Sequence, residues 1–266
     1  MPTYHAKKRL GQNFLKTKPV IDHVVSLVAP EPKDVIVEIG PGRGALTLPL
    51  AESGATIWAV EFDRDLMGYL TSLLSKHPNV HLVNDDFLKF DPDLQKLDDF
   101  KLVGNLPYNI TSPVLDWCLK YQTRILRAVL MVQRELGARI AASSGTRDWS
   151  PLSIFTQSAF EVESVFDVAP SHFHPRPEVT SSVLKLTPRP INPAVATGQF
   201  ERVVRMSFLH RRKTLANNLV PDLIPNTSFA QEILAEIGLP VKIRAEEVSI
   251  DRFLTLTAVL GKHNLV

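Results

Sequence analysis

The sequence has a single cysteine, Cys118, among its 266 residues. A lone cysteine excludes an intramolecular disulfide and any cysteine-rich zinc or iron–sulfur site, and it is typical of a reducing compartment. The sequence has no apolar run of membrane-spanning length, and polar residues follow the basic N-terminus where a signal peptide needs an apolar stretch. The eight histidines show no spacing typical of metal ligands. We therefore expect a soluble, cytoplasmic protein without a metal centre.

The chain also lacks a strong net charge, because 30 basic residues nearly balance 28 acidic ones and leave +2. The charges are unevenly placed, however: residues 1–18 hold five basic residues and no acidic one, and a second basic group lies near the C-terminal end. Such segments can neutralise phosphates, although a solvated surface also explains short basic runs. The candidate phosphate contacts are Lys7, Lys8, Arg9, Arg211, Arg212 and Lys213.

Short β-branched runs alternate with amphipathic segments between residues 34 and 132. The runs predict buried strands at 34–40, 56–61, 80–83, 101–104 and 128–132, and the segments predict helices at 45–53, 63–76 and 113–121. Strands that alternate with helices need crossover connections, so this part predicts an α/β fold with a mostly parallel sheet covered on both faces.

The pattern changes after residue 132. Two runs predict a closing strand pair at 162–168 and 182–186, and the prolines between 188 and 193 mark a linker. From residue 199 the spacing is helical, with helices predicted at 200–208, 213–219, 229–237 and 249–260. We predict a first domain over 1–190, with a basic N-terminal arm at 1–18, and a small all-helical second domain over 191–266.

A glycine-rich segment, residues 38–44, leaves the first predicted strand and enters a helix. Gly40 and Gly42 let the backbone turn sharply and let a ligand lie close to the helix start. Glu61 ends the second strand, where a carboxylate can bind ribose hydroxyls, and Asp86 follows the third, where it can accept from an adenine amino group. The pattern predicts a nucleoside cofactor and leaves its identity open, since a dinucleotide also fits. A tight turn at the glycines and a turn-capping Asp86 are the structural alternatives.

The most specific segment is Asn105-Leu106-Pro107-Tyr108, at the end of the fourth predicted strand. An adenine N6 amine is a poor nucleophile, because its lone pair is delocalised into the ring. The Asn105 amide oxygen and the Leu106 backbone carbonyl can hold both N–H bonds and direct that lone pair. Pro107 stiffens the backbone, and Tyr108 offers a ring face to the base.

These segments resemble those of the rRNA adenine N6-dimethyltransferase family, and the resemblance spans nearly the whole chain. Its motifs are residues 11–15, 38–42, 105–108 and 173–179. The resemblance implies a Rossmann-like S-adenosylmethionine-dependent methyltransferase sheet, mostly parallel with one antiparallel closing strand, and a helical C-terminal domain that binds RNA. It implies cofactor contacts at Gln12, Asn13, Leu15, Gly40, Gly42, Glu61, Asp86 and Asn105. It implies catalytic roles for Asn105, Leu106, Pro107, Tyr108 and Phe173.

In that scheme Phe173 stacks on the second face of the target base, and core packing is the alternative role for this aromatic residue. The chain departs from the family at Glu178, where lysine is common, which weakens the basic character of this loop. Residues 211–219 resemble the basic helix of the bacterial small-subunit branch, and residues 244–253 resemble its C-terminal segment.

The resemblance implies direct methyl transfer to two adjacent adenines in the 3′-terminal hairpin loop of 16S rRNA, by a monomer acting on a pre-30S particle during ribosome biogenesis. Three alternatives stay open. They are the related large-subunit RNA methyltransferase that confers macrolide resistance, a nicotinamide-dependent oxidoreductase, and a non-catalytic ribosome-assembly factor on the same fold.

Overall fold

The computed structural model describes Lys7, residues 10–195 and residues 198–266. The predictions for Lys8 and Arg9 therefore lie outside the described residues. Contacts divide the chain into two units. The first comprises the described residues up to Gly137 together with Glu161–Pro188, and the second comprises those of Ala138–Phe160 and Arg189–Val266.

A seven-stranded sheet forms the centre of the first unit, in the order β4-β3-β2-β5-β6-β9-β7. These strands are β2 Val35–Ile39, β3 Thr56–Val60, β4 Val80–Val83, β5 Phe100–Asn105, β6 Ile125–Gln133, β7 Phe160–Val168 and β9 Ser181–Pro188. Neighbours from β4 to β6 pair in parallel, and β9 runs antiparallel to β6. The predicted mostly parallel α/β sheet with an antiparallel closing strand is thus confirmed.

Three helices connect parallel strands, as the alternating pattern predicts: α2 Thr47–Glu52, α3 Arg64–Leu73 and α4 Thr111–Lys120. Between β4 and β5 lies only a short helical turn, Phe87–Lys89. Helix α1 Lys18–Val28 precedes the first of these strands, and α5 Arg134–Ile140 follows β6. Helix α3 begins after Asp63, whose side chain accepts from the Asp65 N–H, and it buries Leu66 and Leu70. Helix α2 is shorter than the predicted 45–53, because the chain first turns through Gly42 and Gly44 at positive φ.

A separate two-stranded sheet was not predicted. It pairs β1 Phe14–Leu15 with β8 Phe173–His174 in antiparallel register, Phe14 opposite His174 and Leu15 opposite Phe173. The Lys16 N–H extends it by donating to the His172 carbonyl at 3.0 Å. The pairing ties the N-terminal segment to the proline-rich loop around residue 173.

In the described part of the second unit, all regular secondary structure is helical apart from the first residue of β7. Its helices are α6 Pro151–Ala159, α7 Gly198–Ser207, α8 Leu215–Leu219, α9 Thr227–Glu236 and α10 Ile250–Lys262. It differs from the predicted second domain by including residues 138–160. Trp149 and Ile154 are buried in its helical core, and the Trp149 indole N–H donates to the Val248 carbonyl at 2.9 Å. In the described part of the chain, no helix combines the length and apolar character needed to cross a membrane.

Candidate active site

A cavity of about 290 Å³ opens at the carboxyl ends of β2, β3 and β5, the edge where ligands of open α/β sheets bind. Every residue predicted for the cofactor or for catalysis lines it. Those residues are Gln12, Asn13, Leu15, Gly40, Gly42, Glu61, Asp86, Asn105, Leu106, Pro107, Tyr108 and Phe173. The fold thus brings six separate sequence segments together at one place, and the individual roles remain predictions.

The glycine loop forms one wall. Gly40 and Gly42 have φ values of +63° and +57°, which residues other than glycine rarely adopt. A Cβ on Gly42 would lie 2.8 Å from Cδ1 and 2.9 Å from Cε1 of Phe14, so the close approach of that ring also requires glycine. The Arg43 guanidinium lies 5.1 Å from the centroid of the same ring. Phe14 therefore packs directly against the loop.

Glu61 stands beside this loop at the end of β3. Its buried carboxylate accepts from the Gly42 N–H at 3.0 Å and from the Asp63 N–H at 2.8 Å. Burial raises the pKa of Glu61, and these backbone hydrogen bonds oppose that shift. Two N–H donors fix the carboxylate at the cavity wall, in the position where a ribose ligand is expected.

The N-terminal segment is fastened over this region through Asp63. The Gln12 amide nitrogen donates to Asp63 Oδ2 at 2.9 Å, and the Lys7 Nζ lies 2.6 Å from Asp63 Oδ1 and 2.6 Å from Asp65 Oδ2. The hydrogen bonds of Lys7 with Asp63 and Asp65 raise the pKa of Lys7. The Lys7 backbone N–H also donates to the Gln12 side chain at 2.8 Å. Lys7, predicted to contact RNA, is thus paired with two carboxylates, and we call Lys7, Gln12 and Asp63 the clasp.

Asp86 caps a turn, as one of the two explanations from the sequence has it, and its contact with an adenine amino group stays a prediction. Its Oδ1 accepts from the Leu88 N–H at 3.0 Å and caps the short helical turn Phe87–Lys89. The same residue lines the cavity. A cap uses one carboxylate oxygen, so the other can accept a hydrogen bond from a ligand.

Asn105 is the last residue of β5, and its side chain is held in one orientation. Its Nδ2 donates to the Asn13 carbonyl at 2.8 Å. Because a carbonyl can only accept, the amide nitrogen must face it, and Oδ1 is left to accept from another donor. The Leu106 N–H donates to the Met131 carbonyl at 3.0 Å, and the Pro107 carbonyl accepts from the Ile110 N–H at 3.1 Å. These bonds hold the turn that carries Tyr108 into the cavity lining.

Phe173 reaches the cavity wall from β8, but its side chain is only 2% exposed. It belongs to a core cluster with Leu15 and Val24. In this structure the packing role is the observed one, and stacking on a base would require its ring face to be uncovered.

Sequence reasoning missed Phe62, which follows Glu61 directly. It lines the cavity, and its side chain is 60% exposed. An exposed ring at this place offers an apolar face to a purine. The available signal was an aromatic residue directly after the acidic end of a strand.

The predicted basic helix of the second unit is wrong in one respect. Helix α8 begins only at Leu215, because Thr214 takes the N-cap position and its hydroxyl accepts from the Asn217 N–H. Arg211, Arg212 and Lys213 therefore lie in the exposed turn before the helix, and we call these three residues the basic turn. The Arg211 guanidinium donates to the Arg147 carbonyl, which fixes one side of the turn.

This mostly parallel sheet carries a glycine loop after β2, a glutamate directly after β3 and Asn-Leu-Pro-Tyr at the end of β5, and together these features define a Rossmann-like methyltransferase. The chain belongs to the ribosomal RNA adenine dimethylase family, whose sequence profile matches residues 3–262. This membership overturns the oxidoreductase alternative.

Curated relatives match over almost their whole length. The chain is 39% identical over 270 residues to the ribosomal RNA small subunit methyltransferase A of Bacillus cytotoxicus, covering 97% of this chain and 92% of the relative. It is 39% identical over 262 residues to that of Legionella pneumophila, covering 96% and 98%.

Solved structures agree on the fold. The 23S rRNA methyltransferase ErmE superposes with a TM-score of 0.75 at 29% identity, covering 94% of this chain and all of that one. A dimethyladenosine transferase from Plasmodium falciparum gives a TM-score of 0.82 at 22% identity, covering 94% and 98%.

Proposed function

We propose that this chain uses S-adenosylmethionine to dimethylate N6 of two adjacent adenines in the 3′-terminal hairpin loop of small-subunit 16S rRNA. The observation that carries the proposal is the fixed amide of Asn105. Its amide nitrogen donates to the Asn13 carbonyl, which leaves its oxygen free to accept a hydrogen bond in the cavity that the glycine loop and Glu61 also line.

The residues of the cavity fit this cofactor. Gly40 and Gly42 hold the loop backbone at positive φ along the cavity wall, Glu61 offers a carboxylate to ribose hydroxyls, and Asp86 offers one to the adenine amino group. Phe62 offers an exposed ring to the adenine face. When bound, S-adenosylmethionine supplies an activated sulfonium methyl group.

The chain contributes positioning rather than strong acid–base chemistry. Asn105 Oδ1 accepts an N–H of the target amine and directs its lone pair, and Tyr108 offers its ring to the base. The amine becomes acidic only after alkylation, so no strong general base is required. Because the Asn105 amide is neutral, it serves equally before and after the first methyl is added. Preorganised groups of this kind lower the barrier without reorganisation during the reaction.

The target base must leave its stack to reach a cavity at the sheet edge, which favours a loop or unpaired segment as substrate. We assign the basic turn to phosphate contacts with that RNA, since all three side chains are exposed. The partner we propose is a pre-30S particle in the cytoplasm, bound by a monomer.

The large-subunit alternative has one observation in its favour, the likeness to the ErmE structure at 29% identity. The curated relatives at 39% identity are named small-subunit enzymes, and the match to them is the stronger one. A non-catalytic assembly factor is a third reading, and it retains the fold without turnover.

Labelled S-adenosylmethionine separates the three readings when it is offered with two substrates. These are small subunits whose terminal hairpin lacks dimethyladenine, and naked large-subunit RNA. We expect label as N6,N6-dimethyladenine in the small subunits only. Label in the large-subunit RNA would move the chain to the resistance branch, and cofactor binding without transfer to either would support the assembly factor.

A further inference from the structure

Thr17 occupies the N-cap position of helix α1, but its side chain does not cap the helix. An N-cap threonine normally accepts from the N–H of the second or third helical residue. The second residue here is Pro19, which has no N–H, and the Val20 N–H donates to the Thr17 backbone carbonyl at 3.1 Å. The start of the helix therefore makes no use of the Thr17 hydroxyl.

The hydroxyl instead contacts the loop that leads into β8. Thr17 Oγ1 lies 3.1 Å from Nδ1 of His172, 155 positions further along the chain, and both side chains are partly buried. A hydroxyl can donate or accept, so this hydrogen bond forms with either tautomer of the histidine. His172 comes directly before Phe173, which lines the cavity. The contact thus joins the start of α1 to the residue beside the cavity wall.

The backbone of His172 is fixed as well. Its carbonyl accepts from the Lys16 N–H at 3.0 Å, and its N–H donates to the Ala169 carbonyl at 3.1 Å. The adjoining ladder between β1 and β8 has only two residues on each strand, and so short a ladder has little stability of its own. The hydrogen bond from Thr17 therefore supplies a sizeable part of what holds Phe173 in place.

Neither Thr17 nor His172 lines the cavity, so any effect of theirs on the reaction must pass through another residue. Phe173 does line it, and its ring is 2% exposed and packed beside Leu15. The ring is therefore a fixed part of the wall. A fixed apolar wall limits the positions that a bound base can take relative to Asn105, and such confinement favours reaction.

We propose that Thr17 and His172 are positioning residues for methyl transfer. Their contact holds Phe173 at the cavity wall, and that wall confines the target adenine against Asn105 and Tyr108. The inference rests on the proposed function, because it requires an adenine in this cavity. It assigns part of the support of the base site to two side chains outside the cavity lining.

Thr17→Val tests the proposal, because valine has nearly the same shape as threonine and lacks the hydroxyl. Loss of one neutral hydrogen bond should lower the single-turnover rate of methyl transfer about fivefold at saturating cofactor and RNA. Affinity for S-adenosylmethionine, measured by calorimetry, should not change, since Thr17 lies outside the cavity lining. Thr17→Ser keeps the hydroxyl and should retain most of the wild-type rate.

His172→Leu removes the same hydrogen bond from the other side and gives an independent measure if the valine variant fails to fold. The double variant should be no slower than either single variant, because each one already breaks the contact. Thr255→Val is the matched control. The Thr255 hydroxyl donates to the Asp251 carbonyl at 2.9 Å on the exposed face of α10, and its loss should leave the rate unchanged.

Three results would overturn the inference and leave the proposed function standing. They are a wild-type rate in Thr17→Val or His172→Leu whatever the melting temperature, an equal loss of rate in Thr17→Ser, and losses that add in the double variant. Failure of the wild type to methylate small-subunit RNA would overturn the proposed function and the inference with it.

Discussion

Lys7 and the basic turn have the same charge in the sequence but different surroundings in the structure. The Lys7 ammonium lies 2.6 Å from carboxylate oxygens of both Asp63 and Asp65. Arg211, Arg212 and Lys213 are exposed in a turn before α8. A basic residue near the N-terminus is therefore held by acidic residues beside the cavity, whereas the basic turn stays exposed, and we propose that it contacts phosphates.

The difference is one of burial and partners rather than of composition. Asp63 is almost fully buried and needs hydrogen-bond donors, and Lys7 and Gln12 supply them. No buried acid among the described residues forms an ion pair with the basic turn, whose side chains remain in solvent. Exposed cations cost little to hold in water and gain most from a polyanion.

Among variants of the two basic segments and their surroundings, the largest expected effect is on RNA binding. Replacing Arg211, Arg212 and Lys213 together by alanine should weaken RNA affinity about a hundredfold near 0.1 M salt and reduce the salt slope by about one per residue. Cofactor affinity should not change. Filter binding at several salt concentrations, beside calorimetry with S-adenosylmethionine, measures both. An unchanged salt slope would mean that the basic turn does not contact phosphates.

Asp63→Asn should have the next largest effect, this time on the cofactor. The substitution removes the charge that holds Lys7, and we expect affinity for S-adenosylmethionine to fall about tenfold with an unchanged RNA salt slope. Asp65→Asn is the matched control, because the Asp65 side chain is exposed and contacts the clasp through Lys7 alone, while its backbone N–H bond to Asp63 is kept. If Lys7→Gln instead lowered the salt slope, the distinction between the two basic segments would fail.

Glu178→Lys should have the smallest effect and the opposite sign. Glu178 is exposed on the loop after β8, where the resembling family commonly has lysine. The change should raise RNA affinity about threefold to tenfold and steepen its salt dependence. Glu52→Lys makes the same charge change on the surface of α2. Equal gains from both variants would show a general charge effect rather than a contact by this loop.

Many of the residues predicted to bind the cofactor could be placed from the sequence, because the local sequence determines the strands and turns that carry them. The strand at 80–83 matches its prediction, and Gly40, Gly42, Glu61 and Asn105 follow strands whose carboxyl ends meet at one edge. A turn that needs a positive φ strongly favours glycine, so a glycine-rich segment after a strand is good evidence for such a turn. The sequence therefore located the cavity.

The rest depended on contacts that have no local period. The clasp joins residues 56 positions apart, and the β1–β8 pairing involves only two residues on each strand. Residues 138–160 join the helical unit because Trp149 and Ile154 pack there, which periodicity alone does not reveal. The basic turn was expected within a helix, but Thr214 is the better N-cap and starts α8 after the three cations.

The most direct test of the account is the rate at which Asn105→Ala forms N6,N6-dimethyladenine in undermethylated small subunits, at saturating S-adenosylmethionine. Losing the oriented acceptor should lower the single-turnover rate about a hundredfold or more. Asn192→Ala, an exposed residue outside the cavity lining, should retain the wild-type rate. A wild-type rate in Asn105→Ala would contradict the claim that this amide positions the target amine.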